Sequence, residues 1–465
     1  MPLLSKRARR DQALAELDRL RQELQRWYDD RTEADRHVDG SPRGQYQTQL
    51  QSISSEVSGA VKILADDLGN LDLKRDVADI YEHCALIERQ TYWLWRVWYF
   101  FREKFDQRND PRFDKILRAA DEVVWSCYRP FFELPALKNW RPPAPLPYIE
   151  PTFSPSALRR DQRQALDRKD QDFLLVKGAF AELPVPLIKI PIASIHNPWA
   201  LVLIGHEIGH IVQPLLEADF NQTFADAIQT AVENAGVDEE DQAAWSAWAD
   251  EIFADLYCIL TMGQWGVWAL AQFETGRPEV MSERRTVYPA AYTRLKLMHA
   301  MADRLKLPTE KLVAPPAPSK ELQKDLTLSG AVADAIIALP KIHELAAALP
   351  FDASAYAGGQ PGKNMPEVEQ WSRHIRGLEA SPASSKIRSA RMAVAGGASA
   401  WSQAVYADDD EQPIAVGEAL ASKVVAKVAE AAAPGVRSAI IVARDERKAG
   451  RALMDALVEL DLPSG

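Results

Sequence analysis

Asn197-Pro-Trp-Ala-Leu-Val-Leu-Ile-Gly-His-Glu-Ile-Gly-His210 is the most informative stretch of the chain, because it predicts a helix that carries two histidines. Asparagine is a good N-cap and proline fits the first helical position, so the pattern predicts a helix from Asn197 to about Gln213, where Pro214 discourages continuation. His206 and His210 are four residues apart, so their imidazoles project from one face, one turn apart. This spacing suits two adjacent ligands of a tetrahedral zinc ion.

Glu207 lies one position along the same predicted helix and cannot easily reach the same metal ion. Its carboxylate can reach a water on that metal, which is where a general base is needed. With eight histidines in 465 residues, this His-Glu-x-x-His pattern rarely arises by accident. The alternative is a pair of histidines satisfied inside a helical core.

A third ligand is needed, and the sequence narrows the choice. A metzincin pattern requires glycine at 213 and histidine at 216, but Gln213 and Leu216 stand there, so that class is excluded. Glu251 and Asp255 are four residues apart within an apolar segment, where two carboxylates are costly without a cation. The first can bind the metal and the second can orient a ligating histidine. Asp250 is a weaker rival because it does not share that face.

These motifs resemble those of the glutamate-ligated zinc metallopeptidases (gluzincins). The closest likeness is to the family of the prenyl-protein processing protease and the bacterial heat-shock membrane zinc protease, which carries His-Glu-x-Gly-His followed by Glu-x-x-Ala-Asp. His206-Glu-Ile-Gly-His210 and Glu251-Ile-Phe-Ala-Asp255 match both motifs. A third family element, His-Pro with arginine six residues after the histidine, aligns with Tyr288-Pro-Ala-Ala-Tyr-Thr-Arg294, with tyrosine in place of histidine. The likeness covers only the middle of the chain.

The residues and the resemblance together predict a zinc-dependent metallopeptidase, specifically an endopeptidase of narrow specificity. Zn²⁺ is expected on His206, His210 and Glu251, with Asp255 behind a ligating histidine. Glu207 is expected to take a proton from the attacking water and return it to the leaving amine. Tyr288 or Tyr292, helped by Arg294, is expected to stabilise the oxyanion, and core packing is the alternative role of both tyrosines.

A different class of protein remains open, namely a helical scaffold or interaction protein whose zinc site is structural or vestigial. A purely structural site has no need of Glu207, which favours the enzyme. The segment Val185–Ile192 predicts a strand before the zinc helix, and Pro186 and Pro191 confine it to a sheet edge. An extended peptide can add to such an edge, so the predicted substrate is a polypeptide.

Composition excludes several other functions. The 55 basic and 66 acidic residues leave a net charge of −11, which disfavours nucleic acid as a partner. Three scattered cysteines and a first segment without an apolar stretch predict a cytoplasmic protein. The apolar segment 256–273 is interrupted by polar residues at helical spacing, so it predicts one buried helix, and no stable membrane insertion is expected.

The predicted fold class is mostly α with a small β-sheet (α+β). Proline-rich stretches divide the chain into three predicted domains. Residues 1–134 form an N-terminal helical domain, with a central aromatic helix over about 76–105. Residues 135–312 form a zincin-like metallopeptidase core, with short strands at 173–176 and 185–192. Residues 313–465 form an Ala-rich, mainly helical C-terminal region. The flanking helical regions are where a regulatory partner is expected to bind.

Overall fold

Helices make up most of the protein, and one three-stranded sheet accompanies them, which confirms the predicted mostly α fold class. The structure is a computed structural model. It describes residues 4–37, 46–137, 143–159, 183–217, 219–309, 318–356, 365–382, 388–407, 413–431, 450–451 and 453. The domain boundaries at 134 and 312 stay predictions.

Four helices make up the described N-terminal part of the chain, and the first three share a hydrophobic core with residues of the sheet. They are α1 (Lys6–His37), α2 (Gln47–Gly69), α3 (Val77–Asp106) and α4 (Asp114–Tyr128). The central aromatic helix is observed as α3, within one residue of its predicted ends. Leu94, Trp98 and Phe101 are buried on its inner face, where they join residues of α1 and α2. Helix α4 instead contributes its apolar residues to the larger core that surrounds the candidate site.

The sheet has the order β1-β3-β2, with β1 (Leu146–Glu150) parallel and β2 (Ser156–Leu158) antiparallel to β3 (Leu187–Pro191). The prediction that β3 is an edge strand is therefore wrong. Pro186 precedes the strand and Pro191 ends it, so the missing N–H groups fall at its ends and the residues between them keep their donors. The predicted strand 173–176 lies outside the described residues.

The middle and C-terminal helices form one continuous core. The middle helices are α5 (Ile204–Val212), α6 (Phe220–Asn234), α7 (Glu239–Ala247), α8 (Ala249–Met262), α9 (Gln264–Glu274), α10 (Pro278–Met281) and α11 (Ala291–Arg304). The C-terminal helices are α12 (Lys320–Ile337), α13 (Pro340–Ala348), α14 (Glu367–Ile375), α15 (Ser389–Ala407) and α16 (Pro413–Glu430).

The helix that carries the two histidines begins later than predicted. Residues Pro198–Leu203 form a 3₁₀ helix, and the α-helix begins only at Ile204. Asn197 precedes the 3₁₀ helix and makes no side-chain capping hydrogen bond, and its side-chain amide donates to the carbonyl of Ala193 (3.3 Å). A tighter 3₁₀ turn is a common entry to an α-helix, and sequence patterns seldom distinguish the two.

The predicted single buried helix over 256–273 is broken at Gly263 into α8 and α9. Gly263 has a φ of 63°, which favours glycine, and a Cβ there would overlap the ring of Tyr356. The hydroxyl of Tyr356 donates to the carbonyl of Thr261 (2.7 Å), so a C-terminal residue fills the corner between the two helices.

Two further observations concern the described residues as a whole. Among them, no single helix has the length and apolar content to cross a membrane, and two sharply bent helix pairs meet that test by length and composition only. Cys84, Cys127 and Cys258 are free thiols, and all three are buried.

Candidate metal centre

Helices α5 and α8 bring His206, His210 and Glu251 together in a group that could hold a metal ion. The Nε2 atoms of the two histidines are 3.0 Å apart. Nε2 of His206 lies 3.4 Å from Oε2 of Glu251, and Nε2 of His210 lies 3.5 Å from Oε1. Oε2 of Glu251 is buried and makes no hydrogen bond, and its contact with Nη2 of Arg294 is 3.6 Å long, so the oxygen keeps room for a closer cation.

Asp255 stands behind the first histidine, one turn along α8 from Glu251. Its Oδ1 lies 2.8 Å from Nδ1 of His206, so Nε2 of that ring is left facing His210 and Glu251. Arg294 on α11 donates to both oxygens of Asp255 at 2.8 Å and to Glu274 at 3.0 Å. The aspartate is therefore fixed from two sides, and it fixes the imidazole in turn.

In this cluster, burial and the neighbouring charges shift the pKa values of His206 and Glu251 in opposite directions. Burial disfavours the charged form of His206, but Asp255 and Glu251 outweigh it and raise the pKa of this histidine to about 10. Burial also opposes ionisation of Glu251, yet the two histidines hold its pKa well below the usual range. The group therefore favours a positive charge at its centre, and a metal ion competes with a proton for that position.

Glu207 lies beside this group without a partner of its own. Its side chain is 4% exposed, and among the described residues it makes no hydrogen bond or ion pair. Burial raises the pKa of this carboxyl group, against the charges of the nearby histidines. A buried carboxylate with no partner beside a cation site is suited to exchange protons with a small molecule in that site.

Two glycines allow α5 and α8 to approach closely enough for these contacts. A Cβ on Gly205 would lie 2.6 Å from Oγ1 of Thr261. A Cβ on Gly209 would lie 2.7 Å from Cα of Ala254 and 3.0 Å from Cβ of Tyr257. Since Ala254 offers backbone at this contact, it cannot rotate away, and any larger residue at 209 must push the helices apart.

The substitution Gly209→Ala is expected to destabilise the protein by about 1–3 kcal/mol through overpacking. This outweighs the gain of up to about 1 kcal/mol that alanine normally brings to a helix interior. Metal affinity is expected to fall as well, because Glu251 lies on the displaced helix. Thermal unfolding and metal titration measure both effects.

Gly69→Ala is the matched control, since Gly69 lies at the end of α2 and a Cβ there meets nothing within 4 Å. Equal stability of the two variants would contradict the close-packing argument.

Tyr288 and Tyr292, the two candidate oxyanion donors in the sequence, lie in different surroundings in the structure. Tyr288 lies in the loop before α11, with its ring centroid 5.7 Å from the guanidinium carbon of Arg294. Burial and the charge of Glu251 raise its pKa to about 12. Tyr292 is buried in the hydrophobic core on α11. Tyr288 thus lies near Arg294 and Glu251, while Tyr292 packs in the hydrophobic core.

Some residues around this group were not anticipated from the sequence. Glu274, at the end of α9, accepts a hydrogen bond from Arg294, yet as a single acidic residue it has no motif that marks it. Asp250, the rival ligand, faces away and accepts from the side chain of Gln213 (2.9 Å). All three nitrogens of the Arg294 guanidinium group donate to carboxylates, which makes this arginine a support for Asp255.

Comparisons of the chain with protein-family models, with curated proteins and with solved structures find no match. What is known of the site therefore rests on its residues and their geometry. They give a group of two histidines and one glutamate that could hold a metal ion.

Proposed function

We propose that the protein is a zinc-dependent metallopeptidase, an endopeptidase of narrow specificity, in which Glu207 is the general base. The observation that carries this proposal is the position of Glu207, a buried carboxylate without a partner beside the group formed by His206, His210 and Glu251. A site that served only to hold the fold together would not need this fourth group.

The geometry of the three side chains supports zinc. A tetrahedral ion with bonds of about 2.0–2.1 Å holds its ligand atoms about 3.3 Å apart. The two histidine Nε2 atoms are 3.0 Å apart, and each lies 3.4–3.5 Å from its nearer oxygen of Glu251, which is Oε2 for His206 and Oε1 for His210. The buried Oε2 of Glu251, which lacks a hydrogen bond, is the atom that such an ion would satisfy. Two imidazoles and one carboxylate form a donor set that zinc takes in catalytic sites.

The surrounding side chains then have distinct roles. When bound, Zn²⁺ supplies a Lewis acid that lowers the pKa of water towards neutrality. Glu207 takes the proton as the water attacks a carbonyl carbon, and it returns that proton to the leaving amine. Tyr288 is the donor that reaches the oxyanion through its phenol, and Asp255 with Arg294 keeps His206 oriented.

A polypeptide substrate fits the edge of the sheet nearest the site. Strand β2 contacts α5, and among the described residues no strand pairs with its other edge. Arg159, the residue after β2, lies 3.8 Å from Asp250 at the start of α8. An extended peptide added to β2 would run past the metal-binding group, so β2 replaces β3 as the expected docking strand.

Metal content and cleavage in the same preparation test the proposal. The purified chain is expected to hold one zinc per molecule by elemental analysis and to cleave a denatured protein mixture. A strong chelator is expected to abolish cleavage, and added zinc is expected to restore it. Absence of stoichiometric zinc would refute the proposed site, and tightly held zinc without any cleavage would favour the scaffold alternative, in which the metal is structural or vestigial.

A further inference from the structure

An ion pair between a half-buried arginine and a buried aspartate joins the C-terminal helix α12 to residues 282–290, the loop that carries Tyr288. Asp325 on α12 is 0% exposed. Arg284 of the loop donates to it twice, from Nε to Oδ2 at 2.8 Å and from Nη2 to Oδ1 at 2.6 Å. The same guanidinium donates to Asp241 at 2.6 Å. Two-point arginine–carboxylate pairs are directional, so this one fixes position as well as charge.

Between its ends, the loop is largely exposed. Four of its side chains are exposed, namely Glu283, Arg285, Thr286 and Val287. The backbone N–H of Arg285 donates to the carbonyl of Tyr288 (3.1 Å), which closes a tight turn between the two residues. The position of Arg284 is therefore linked to that of Tyr288 through four residues that this hydrogen bond closes.

The ion pair is also tied to the helix that bears Glu251. The indole N–H of Trp245 donates to Oδ1 of Asp325 (3.1 Å). The indole N–H of Trp248 donates to the carbonyl of Arg285 (3.2 Å), and Trp248 is the N-cap residue directly before α8. The loop is thus held against the start of α8, three residues before Glu251.

We propose that Asp325 is a positioning residue for the reaction, which holds the Tyr288 phenol at the metal centre through Arg284. This inference rests on the proposed function and assigns a role to the C-terminal region. Asp325 touches neither the metal-binding group nor the place of the substrate carbonyl. Its effect passes through the loop backbone. Without Asp325, the Tyr288 phenol is expected to be displaced from the position in which it donates to the oxyanion.

Kinetics of three variants test this role. Tyr288→Phe is expected to lower kcat about 10²-fold, the usual effect of removing one oxyanion donor. Asp325→Asn is expected to lower kcat by about 10- to 100-fold, with little change in KM and unchanged zinc content. The double variant is expected to be no slower than Tyr288→Phe alone, because both changes remove the same interaction.

A second measurement does not depend on activity. Arg285 is exposed, so trypsin can cut the loop of the folded chain once the loop opens. Asp325→Asn is expected to raise the cleavage rate at this loop about tenfold or more. Arg284→Gln removes the same ion pair from the loop side and serves if Asp325→Asn does not fold. Asp334→Asn is the matched control, since Asp334 lies on α12 and pairs with Arg304 (2.8 Å) at the surface.

The outcomes separate the two proposals. An active wild type with unchanged kcat in Asp325→Asn, or with losses that multiply in the double variant, would overturn the positioning role alone. A wild type that binds zinc and cleaves nothing would refute the proposed function, and the positioning role would fall with it. A trypsin rate equal to that of Asp334→Asn would show that Asp325 does not anchor the loop.

Discussion

Glu207→Gln is expected to abolish most peptide hydrolysis while zinc stays bound. Glutamine has the shape of glutamate but cannot accept the proton of the attacking water, so kcat is expected to fall by about 10²–10⁴-fold. Zinc content is expected to stay at one per chain, because Glu207 is not one of the three residues whose ligand atoms meet. Steady-state kinetics and elemental analysis on the same preparation measure both quantities.

The control for this variant is Glu217→Gln, which makes the same chemical change at a surface glutamate that pairs with Lys341 (2.7 Å). It is expected to leave hydrolysis and zinc content unchanged. Full activity of Glu207→Gln would remove this residue from the mechanism. Loss of zinc from it would instead make Glu207 a ligand and reopen the role of Glu251.

Glu251→Gln is expected to lower the metal affinity more than the substitutions at Glu207, Asp250 or Asp255. The amide lacks the negative charge that faces both histidine Nε2 atoms at 3.4–3.5 Å. Changes to residues behind the ligands typically cost 10- to 100-fold in metal affinity, so removal of a ligand's charge is expected to cost more than about 100-fold. Competition with a zinc indicator gives the affinity, and circular dichroism reports whether the helices are kept.

Asp250→Asn is the matched control, since it alters the adjacent acidic residue at the start of α8. Asp250 is exposed and points towards Gln213, so zinc affinity is expected to stay unchanged. Asp255→Asn is expected to lower the zinc affinity by about 10- to 100-fold, which is less than the loss in Glu251→Gln and more than that in Asp250→Asn. Tight zinc binding by Glu251→Gln would contradict the ligand assignment.

Local sequence patterns were enough to predict the parts of the molecule that depend on neighbours in the chain. The aromatic helix α3 follows from its own apolar residues, and four-residue spacing places His206 and His210 on one face. The same spacing pairs Glu251 with Asp255. That these two faces meet follows from the cost of isolated carboxylates in an apolar segment and from the resemblance of both motifs to those of the gluzincins.

Contacts between distant segments account for what the sequence did not predict. Strand β3 is central because β1 and β2 both pair with it. Its two prolines predict an edge strand, since the sequence alone does not show that they lie at the ends of the strand. The break at Gly263 depends on Tyr356, nearly a hundred residues away. Glu274 and Asp325 are single acidic residues whose partners lie on other helices, so no local pattern marks them.

The corner at Gly263 bears on how the protein can be dissected. Tyr356 fills that corner, and Asp325 pairs with Arg284 of the loop that carries Tyr288. Both residues follow the proline-rich stretch 315–319 and lie in the predicted C-terminal region. A fragment that stops ahead of α12 would keep every metal ligand and still lose both supports. Inactivity of such a fragment would say nothing about the chemistry of the ligands. A fragment made to test the proposed function would need to extend to at least residue 356.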